Sequence, residues 1–444
     1  MSPSSLPRVL CAAAAVFMFA AWGLGAVAVP VNARQTATEV DRIIDHAKPA
    51  GIVAFSAASP DAAAHATRLG IGETSGDFGV VHACSAHAST PYADPRLAVL
   101  LYTTGTTGTP KGVMLSHENL IFGGRASAAL REMTHADLVY GVLPITHVFG
   151  LASVVVAATS AGTPVALEAR FSAPKLLCAL HGGVTLLSAV PQMHALLMQH
   201  TKEQGQSALG SDRLRYVSSG AAPLDPTWKR KAEAFYGVAI QNGYGMTETT
   251  AGVCATRNEI GSPDISVGAP LPGVEIKIDD TAKGGAAGRG EILTRGPHIM
   301  MGYYNNRAET DKVLDGAGWM RTGDLGQIDD GGHLHILGRS KELIIHGGFN
   351  VYPPEVEAAL NDHPQVIQSA VIGRMSQGDE EVLAFVQIAP NDPLSAKELA
   401  VFVAKRLAGY KRPAQIVLTQ QLPAAPTGKI LKHRLLDVFA ADLA

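Results

Sequence analysis

Short apolar segments alternate with amphipathic ones along most of the chain, and this alternation predicts an α/β fold. "LAVLLYTT", "AGTPVALEA", "GVTLLSAVP" and "LRYVSSG" are apolar runs bounded by turn-forming residues, as expected for buried strands. "PTWKRKAEAFYG" has a helical pattern, and "HENLIFGGRASAALREM" predicts a helix that is broken or loosened at Gly123–Gly124. Strands and helices in alternation favour layered, largely parallel sheets covered by helices.

The pattern changes after about Ser266. "VGAPLPGVEIKID", "GRGEILTRG" and "GGHLHILG" alternate between glycines, which indicates a small antiparallel β unit. The last hundred residues predict helix, strand, strand and helix in "PPEVEAALNDHP", "VIQSAVIGR", "EEVLAFVQIA" and "AKELAVFVAKRLAGYKRP". We therefore expect a large N-terminal domain, 1–338, of layered mixed or parallel sheets with helices plus the β unit, and a small α+β C-terminal domain, 339–444.

Composition and charge exclude several classes of protein. The 444 residues carry 36 basic and 39 acidic side chains, a net charge of -3, which gives no electrostatic case for binding nucleic acid or an anionic membrane. The four cysteines form no CxxC pair and the 16 histidines include no HExxH spacing, so neither a zinc site nor a disulfide framework is indicated.

One glycine- and threonine-rich loop indicates phosphate chemistry. "TTGTTGTPKG", Thr103–Gly112, follows a predicted strand and combines three glycines, five threonines and one lysine. Backbone N–H groups in such a loop can approach phosphate oxygens closely, while hydroxyls and Lys111 add donors and charge. The loop is not a Walker A motif, because Gly112 follows Lys111 where that motif has Ser or Thr. Taken alone, a polar surface turn remains the alternative.

An ordered set of further motifs makes the pattern far more specific. The loop is followed by "PITHVFG", "SSGAAPL", "NGYGMTET", "GWMRTGDLG", "GRSKELIIHGGFNVYPPEVE" and "PTGKI". In this order the chain resembles the adenylate-forming superfamily, and within it most closely the fatty-acid and aryl acyl-CoA synthetases. The resemblance implies a ligase that uses ATP, Mg²⁺ and coenzyme A to activate a small carboxylic acid as acyl-AMP and then as a thioester.

The resemblance also implies a role for each matching residue. Thr103, Thr104, Gly105, Thr106, Thr107 and Lys111 would hold the β- and γ-phosphates, Thr247 would touch the α-phosphate, and Glu248 would help to hold Mg²⁺. Tyr244 would lie against the adenine, Gly220 and Ala221 would leave room beside it, and Asp324 with Arg339 would bind the ribose or phosphate. Lys429 would stabilise the charge that develops at the α-phosphate. Lys341 would be the hinge, and Gly347 and Gly348 would line the pantetheine tunnel.

His147 bears on the class of acid. Amino-acid-activating relatives typically carry a Phe-Asp pair in this region, whose carboxylate anchors the substrate ammonium. Here "THVFG" offers no carboxylate, which argues against an α-amino acid. His147 would instead border the carboxylate pocket, and a packed core histidine is the alternative.

The uncharged stretch from Val9 to Ala33 allows two interpretations. Its apolar run after Arg8 and the small residues Ala26–Ala28 are typical of a signal peptide. The resemblance instead implies a core helix and buried strand over Val9–Asn32, no membrane span, and a cytoplasmic enzyme, since ATP and coenzyme A are cytosolic. It also implies a shortened N-terminus, so we expect this helix to expose apolar surface that a homodimer could cover.

Two alternatives to an acyl-CoA synthetase stay open at this point. One is a ligase that passes its acyl-AMP to the pantetheine of a carrier protein. The other is a nucleotide-binding protein inactivated by its shortened N-terminus, against which the presence of Lys111, Glu248, Asp324 and Lys429 argues.

Overall fold

The structure is a computed structural model that describes residues 6–76, 79–85, 94–103, 111–220, 224–282, 284–376, 378–390, 392–424 and 430–443. Its α-helices are α1 (Leu6–Gly23), α2 (Ala37–Ala47), α3 (Pro60–Arg68), α4 (His117–Leu130), α5 (Val148–Gly150), α6 (Ala157–Ala161), α7 (Ala173–His181), α8 (Pro191–Glu203), α9 (Pro226–Tyr236), α10 (Arg307–Val313), α11 (Pro353–Asn361), α12 (Ala396–Ala404) and α13 (Leu435–Val438). A π-helical segment, Leu151–Val156, joins α5 to α6, and 3₁₀ turns cover Thr247–Thr249, Gly409–Lys411, Lys432–Arg434 and Ala440–Asp442.

The strands are β1 (Gly51–Ala54), β2 (Glu73–Gly76), β3 (Gly79–Ser85), β4 (Leu97–Thr103), β5 (Lys111–Ser116), β6 (Val139–Gly141), β7 (Val165–Leu167), β8 (Leu186–Ala189), β9 (Tyr216–Ser219), β10 (Ile240–Tyr244), β11 (Cys254–Ala255), β12 (Ala269–Pro270), β13 (Glu275–Asp279), β14 (Arg289–Arg295), β15 (Gly302–Tyr303), β16 (Met320–Ile328), β17 (Leu334–Arg339), β18 (Ile344–His346), β19 (Phe349–Val351), β20 (Val366–Ser376), β21 (Asp379–Ile388) and β22 (Gln415–Thr419).

The largest sheet of the described chain has seven strands in the order β12-β11-β10-β9-β8-β6-β7. Its members from β10 to β7 are parallel, whereas β11 and β12 are antiparallel additions at one edge. Helices α7, α8 and α9 pack against this sheet through an apolar cluster that includes Leu176, Leu197 and Phe235. The α/β fold class is thus confirmed, as is the antiparallel β unit, which is the sheet β13-β14-β16-β17.

The segment "LAVLLYTT" forms a buried strand as expected, but not in the parallel sheet. It is β4, which pairs antiparallel with β5 in a separate sheet of order β15-β5-β4. The two strands are consecutive in the chain, with only the threonine- and glycine-rich loop between them. Such a short connection suits an antiparallel pair, since a parallel one needs a crossover of a dozen or more residues.

Helix α4 is not broken at its two glycines, contrary to the expectation from sequence. A Cβ atom on Gly123 would lie 2.8 Å from the carbonyl oxygen of Thr250, and one on Gly124 would lie 2.6 Å from Cγ1 of Val156. Both glycines are buried inside an unbroken helix. They therefore permit close packing against the π-helical segment and the loop at Thr250, and do not serve as a helix break.

The apolar stretch near the start of the chain packs as a helix on β4. Met18 joins a buried cluster with Leu101, and the indole N–H of Trp22 donates a 2.8 Å hydrogen bond to the carbonyl oxygen of Ala98. The expected surface exposure is confirmed, because Val16 is 44% and Leu24 86% exposed. None of the helices in the described ranges is long and apolar enough to cross a membrane.

The strand expected after α1 is reduced to one bridge. The Ala28 N–H donates to the carbonyl oxygen of Ala98, and the carbonyl oxygen of Ala28 accepts from the Leu100 N–H. In a parallel ladder the next donor would be the N–H of residue 30, and Pro30 has none. The proline therefore ends the pairing after a single residue.

The C-terminal part has its own apolar core. The sheet β20-β21-β22 packs α11 and α12 on one face, and the 435–443 region covers the other through Leu435 and Phe439. Helix α12 ends at Ala404, earlier than the sequence pattern suggested. Strand β17 still pairs with β16 at Arg339, and the C-terminal core begins at Ile344. We propose that one domain gives way to the other between these two residues.

Candidate active site

A tight loop after β10 presents a buried carboxylate. Thr247 and Glu248 are each 8% exposed in the 3₁₀ turn, and the Tyr303 hydroxyl donates a 2.9 Å hydrogen bond to Oε1 of Glu248. The loop then passes through Thr250 and Ala251, whose φ angles of 48° and 75° are unfavourable for residues with a Cβ atom. A hydrogen bond and a strained backbone therefore fix Glu248 in place.

Lys111 lies beside the same tyrosine. Its ammonium Nζ is 2.5 Å from Oε2 of Glu309 and 4.8 Å from the centroid of the Tyr303 ring. The hydrogen bond from Lys111, followed by that from Lys312, lowers the pKa of Glu309 to about 2. Tyr303 thus touches the phosphate-loop lysine with its ring and Glu248 with its hydroxyl, which joins the two predicted site residues into one group.

A second buried carboxylate lies in the middle of β16, opposite the last residue of β17. Asp324 accepts a 2.6 Å hydrogen bond from the Tyr244 hydroxyl, and its Oδ1 is 3.2 Å from Nε of Arg339, its partner on β17. Burial, and then the negative charge of Asp324, raise the pKa of Tyr244 well above its usual value. The structure thus brings together three residues that the sequence predicted to surround the nucleoside.

The segment "THVFG" and Gly220 meet through an aromatic ring. A Cβ atom on Gly220 would lie 3.0 Å from Cε1 of Phe149, so the glycine allows the ring to lie against the end of β9. His147 caps the helix that begins at Val148, its Nδ1 accepting the Phe149 N–H at 3.2 Å. The side chain of His147 is exposed, so the alternative of a packed core histidine is wrong. Its place beside the carboxylate pocket stays a prediction.

Gly347 and Gly348 form the two-residue turn of the hairpin β18–β19. Their φ angles are 58° and 79°, and no heavy atom of the described residues lies within 4 Å of a Cβ built on either glycine. In this structure the glycines therefore meet the demand of the turn for positive φ, as tight hairpins require, and crowding plays no part. The Gly347 N–H donates a 2.8 Å hydrogen bond to Oδ2 of Asp379. Lys341, the predicted hinge, lies exposed in the turn after β17.

Because the resemblance assigns Gly348 to the pantetheine tunnel, replacing Gly348 with Phe is expected to slow thioester formation at least tenfold while leaving acyl-AMP formation within about threefold. Rapid-quench measurement of acyl-AMP and of thioester separates the two steps. Gly348→Asn is the matched control, since asparagine tolerates positive φ and adds a smaller side chain. Equal loss of both steps in the Phe variant would contradict the tunnel assignment.

Six of the predicted site residues lie outside the described ranges, namely Thr104, Gly105, Thr106, Thr107, Ala221 and Lys429. Thr103 is the last residue of β4 and directly precedes the phosphate loop. Sequence reasoning missed Tyr303 and Glu309, although both belong to the run "GYYNNRAET". The run is polar and contains tyrosines and a carboxylate, but nothing in it indicates that Glu309 contacts Lys111 or that Tyr303 contacts Glu248.

The donor set suits magnesium bound together with a nucleotide. No group of three or more His, Cys, Asp or Glu side chains in the described ranges could hold a metal ion without further ligands. Mg²⁺ commonly uses one or two carboxylates and completes its shell with water and substrate phosphates. A single buried carboxylate, Glu248, next to Lys111 fits that arrangement.

Comparison with known proteins identifies the family. Residues 10–304 match the AMP-binding enzyme family, and residues 355–429 match the AMP-binding enzyme C-terminal domain. The chain belongs to the AMP-binding enzyme family. Its resemblance to the adenylate-forming superfamily is thereby confirmed.

Relatives within the family are named as ligases of coenzyme A. The long-chain-fatty-acid–CoA ligase of Bacillus subtilis (strain 168) is 36% identical over 78% of this chain, which spans 63% of that ligase's length. The 4-coumarate–CoA ligase 5 of Oryza sativa subsp. japonica is 32% identical over 97% of this chain and 83% of its own length. The O-succinylbenzoate coenzyme A synthetase of Bacillus subtilis, solved with ATP and magnesium ion, matches with a TM-score of 0.76 at 28% identity, covering 97% of this chain and 93% of that one.

Proposed function

We propose that this chain is an ATP-dependent acyl-CoA synthetase that joins a small fatty or aryl carboxylic acid to coenzyme A. The observation that carries the proposal is the connected group Lys111, Tyr303 and Glu248, which combines a phosphate-binding cation with a metal-binding carboxylate. Asp324 on β16 with Tyr244 at the end of β10 supplies a nucleoside site between two sheets. Ligases of coenzyme A among the relatives, and a relative solved with ATP and magnesium ion, support the same chemistry.

The reaction has two balanced steps. A carboxylate oxygen attacks the α-phosphorus of ATP, the bond between the α-phosphorus and the bridging oxygen breaks, and pyrophosphate leaves. The thiol of coenzyme A then attacks the acyl carbon, its proton passes to solvent, and AMP leaves. Both steps need charge neutralisation and positioning more than a protein nucleophile. When bound, Mg²⁺ offsets the negative charge of the phosphates.

Individual residues have distinct tasks in this scheme. Lys111 binds the outer phosphates, Thr247 contacts the α-phosphate, and Glu248 holds the metal-bound nucleotide. Asp324 accepts hydrogen bonds from the ribose hydroxyls. Lys429 stabilises the charge that develops between the attacking carboxylate and the α-phosphate. The absence of a carboxylate in "THVFG" keeps α-amino acids outside the proposed substrate class.

The test is AMP release by the purified chain with Mg-ATP, coenzyme A and a pooled set of fatty and aryl acids. We expect AMP only when acid and coenzyme A are both present, and a loss of about 100-fold or more in Lys429→Ala. Lys397→Ala, which changes an exposed lysine on α12, is the matched control and should retain full activity. Turnover that requires a carrier protein in place of coenzyme A would support the carrier-loading alternative. ATP binding without AMP release would contradict the synthetase.

The cellular site and assembly belong to the same proposal. Because ATP and coenzyme A are cytosolic, we place the enzyme in the cytoplasm. The exposed apolar side chains of Val16 and Phe19 on α1, and of Leu24 directly after it, support self-association of two copies. Sedimentation equilibrium of the wild-type chain should give twice the monomer mass, and a monomer at all concentrations would contradict this part.

A further inference from the structure

The carboxylate of Glu309 lies between two lysines. Its Oε2 is 2.5 Å from Nζ of Lys111, and its Oε1 contacts Nζ of Lys312. The backbone of Glu309 is anchored as well, since its N–H donates a 3.1 Å hydrogen bond to Oδ1 of Asn306 at the start of α10. The Glu309 side chain is 28% exposed and that of Lys111 is 22% exposed, so the ion pair is partly shielded from water.

The position of the Lys111 ammonium is set by two contacts. A lysine has a flexible four-carbon stem and would otherwise sample many rotamers. The Glu309 carboxylate holds the ammonium from one side, and the Tyr303 ring lies 4.8 Å away on another. The same tyrosine holds Glu248 through its hydroxyl, so the location of the ammonium is fixed relative to the metal-side carboxylate.

A carboxylate in this place has two opposite consequences for ATP. It competes with the phosphates for the ammonium, which weakens binding of the nucleotide. It also keeps the ammonium in one position, which removes the need to order that side chain during the reaction. An ammonium has three N–H donors, so a contact with Glu309 does not prevent a contact with phosphate.

We infer that Glu309 is the positioning residue for Lys111, and that it weakens the binding of ATP while raising the rate of the step that follows. The inference rests on the proposed function, within which it assigns a task to a residue on α10. Glu309 acts through the lysine and is not itself a phosphate ligand.

Glu309→Gln tests the inference, because the amide keeps the shape of the side chain and removes its charge. We expect the dissociation constant for Mg-ATP, measured by calorimetry without acid, to fall about threefold or more. We expect kcat for acid-dependent AMP release to fall about tenfold. A residue with only a structural role would weaken binding, slow turnover and lower the melting temperature together.

Asp311→Asn is the matched control. Asp311 lies on the same helix and forms an exposed ion pair with Arg307 at 2.6 Å. This variant should leave both the dissociation constant and kcat within about twofold of wild type. An effect equal to that of Glu309→Gln would assign the change to α10 as a whole and overturn the inference.

A double-mutant cycle with Lys111→Met makes the test specific. In the Lys111→Met background, Glu309→Gln should change ATP binding by no more than about twofold, since the group that it positions is gone. Equal effects in both backgrounds, or tighter binding without a fall in kcat, would overturn the inference. Because the binding arm uses no acid, a failure of the proposed function, seen as no AMP from the wild type, is distinguishable from a failure of this inference.

Discussion

Glu248→Gln is expected to lower kcat for acid-dependent AMP release about 100-fold or more. The substitution keeps the size of the side chain and its capacity to accept the Tyr303 hydrogen bond, but it removes the charge that we propose binds the metal. Raising the Mg²⁺ concentration should restore part of the lost rate, because weaker metal binding is then offset by mass action. The measurement is the initial rate of AMP release over a magnesium titration.

The control for Glu248 is Glu275→Gln on β13, the same change in an exposed ion pair with Arg295 on β14. This control should retain wild-type activity and wild-type dependence on magnesium. The assignment of Glu248 would be abandoned if its variant kept more than a third of wild-type kcat at every magnesium concentration. Thermal unfolding of both variants shows whether loss of structure contributes to the result.

Asp324→Asn is expected to raise KM for ATP about tenfold or more. The amide offers one acceptor oxygen where the carboxylate offers two, so it should bind the two ribose hydroxyls less well, and it leaves Arg339 without its charged partner. The sharper measurement compares ATP with 2′-deoxy-ATP. The wild-type chain should prefer ATP in kcat/KM, and the variant should lose most of that preference, because the group that recognises the 2′-hydroxyl is altered.

The matched control for this second substitution is Asp329→Asn. Asp329 is exposed, directly follows β16 and accepts a 2.8 Å hydrogen bond from the partly buried His335. The Asp329→Asn variant should discriminate between ATP and 2′-deoxy-ATP as the wild type does. An Asp324→Asn protein that still favours ATP by the wild-type ratio would show that the ribose is recognised elsewhere.

The fold was predictable where local pattern and packing agree. The parallel strands and the antiparallel unit were evident because apolar alternation and glycine boundaries coincide with the observed strands. The single bridge at Ala28 was not predicted, because apolar residues continue past it and only the pairing partner shows that Pro30 lacks the required donor. The unbroken helix at Gly123 was not predicted either, because the close packing of this glycine against Thr250 is not evident from the sequence.

The candidate site was predictable as a set of motifs but not as a set of contacts. Lys111 and Glu309 are 198 residues apart, and nothing in either motif indicates that the two side chains meet. The same holds for Tyr303, which is 55 residues from Glu248. Motifs name the residues that face a ligand, whereas the residues that orient them are specified by tertiary packing alone.

The paired glycines of α4 also constrain how the sequence can evolve. Alanine is favoured over glycine inside a helix by about 1 kcal/mol, so random drift and consensus engineering both tend to replace glycine. At Gly123 such a change would place a methyl group 2.8 Å from the carbonyl oxygen of Thr250, which lies two residues after Glu248 in the chain. A substitution that strengthened this helix would therefore press on the backbone two residues after Glu248. The present conformation of that loop requires a helix of lower intrinsic stability beside it.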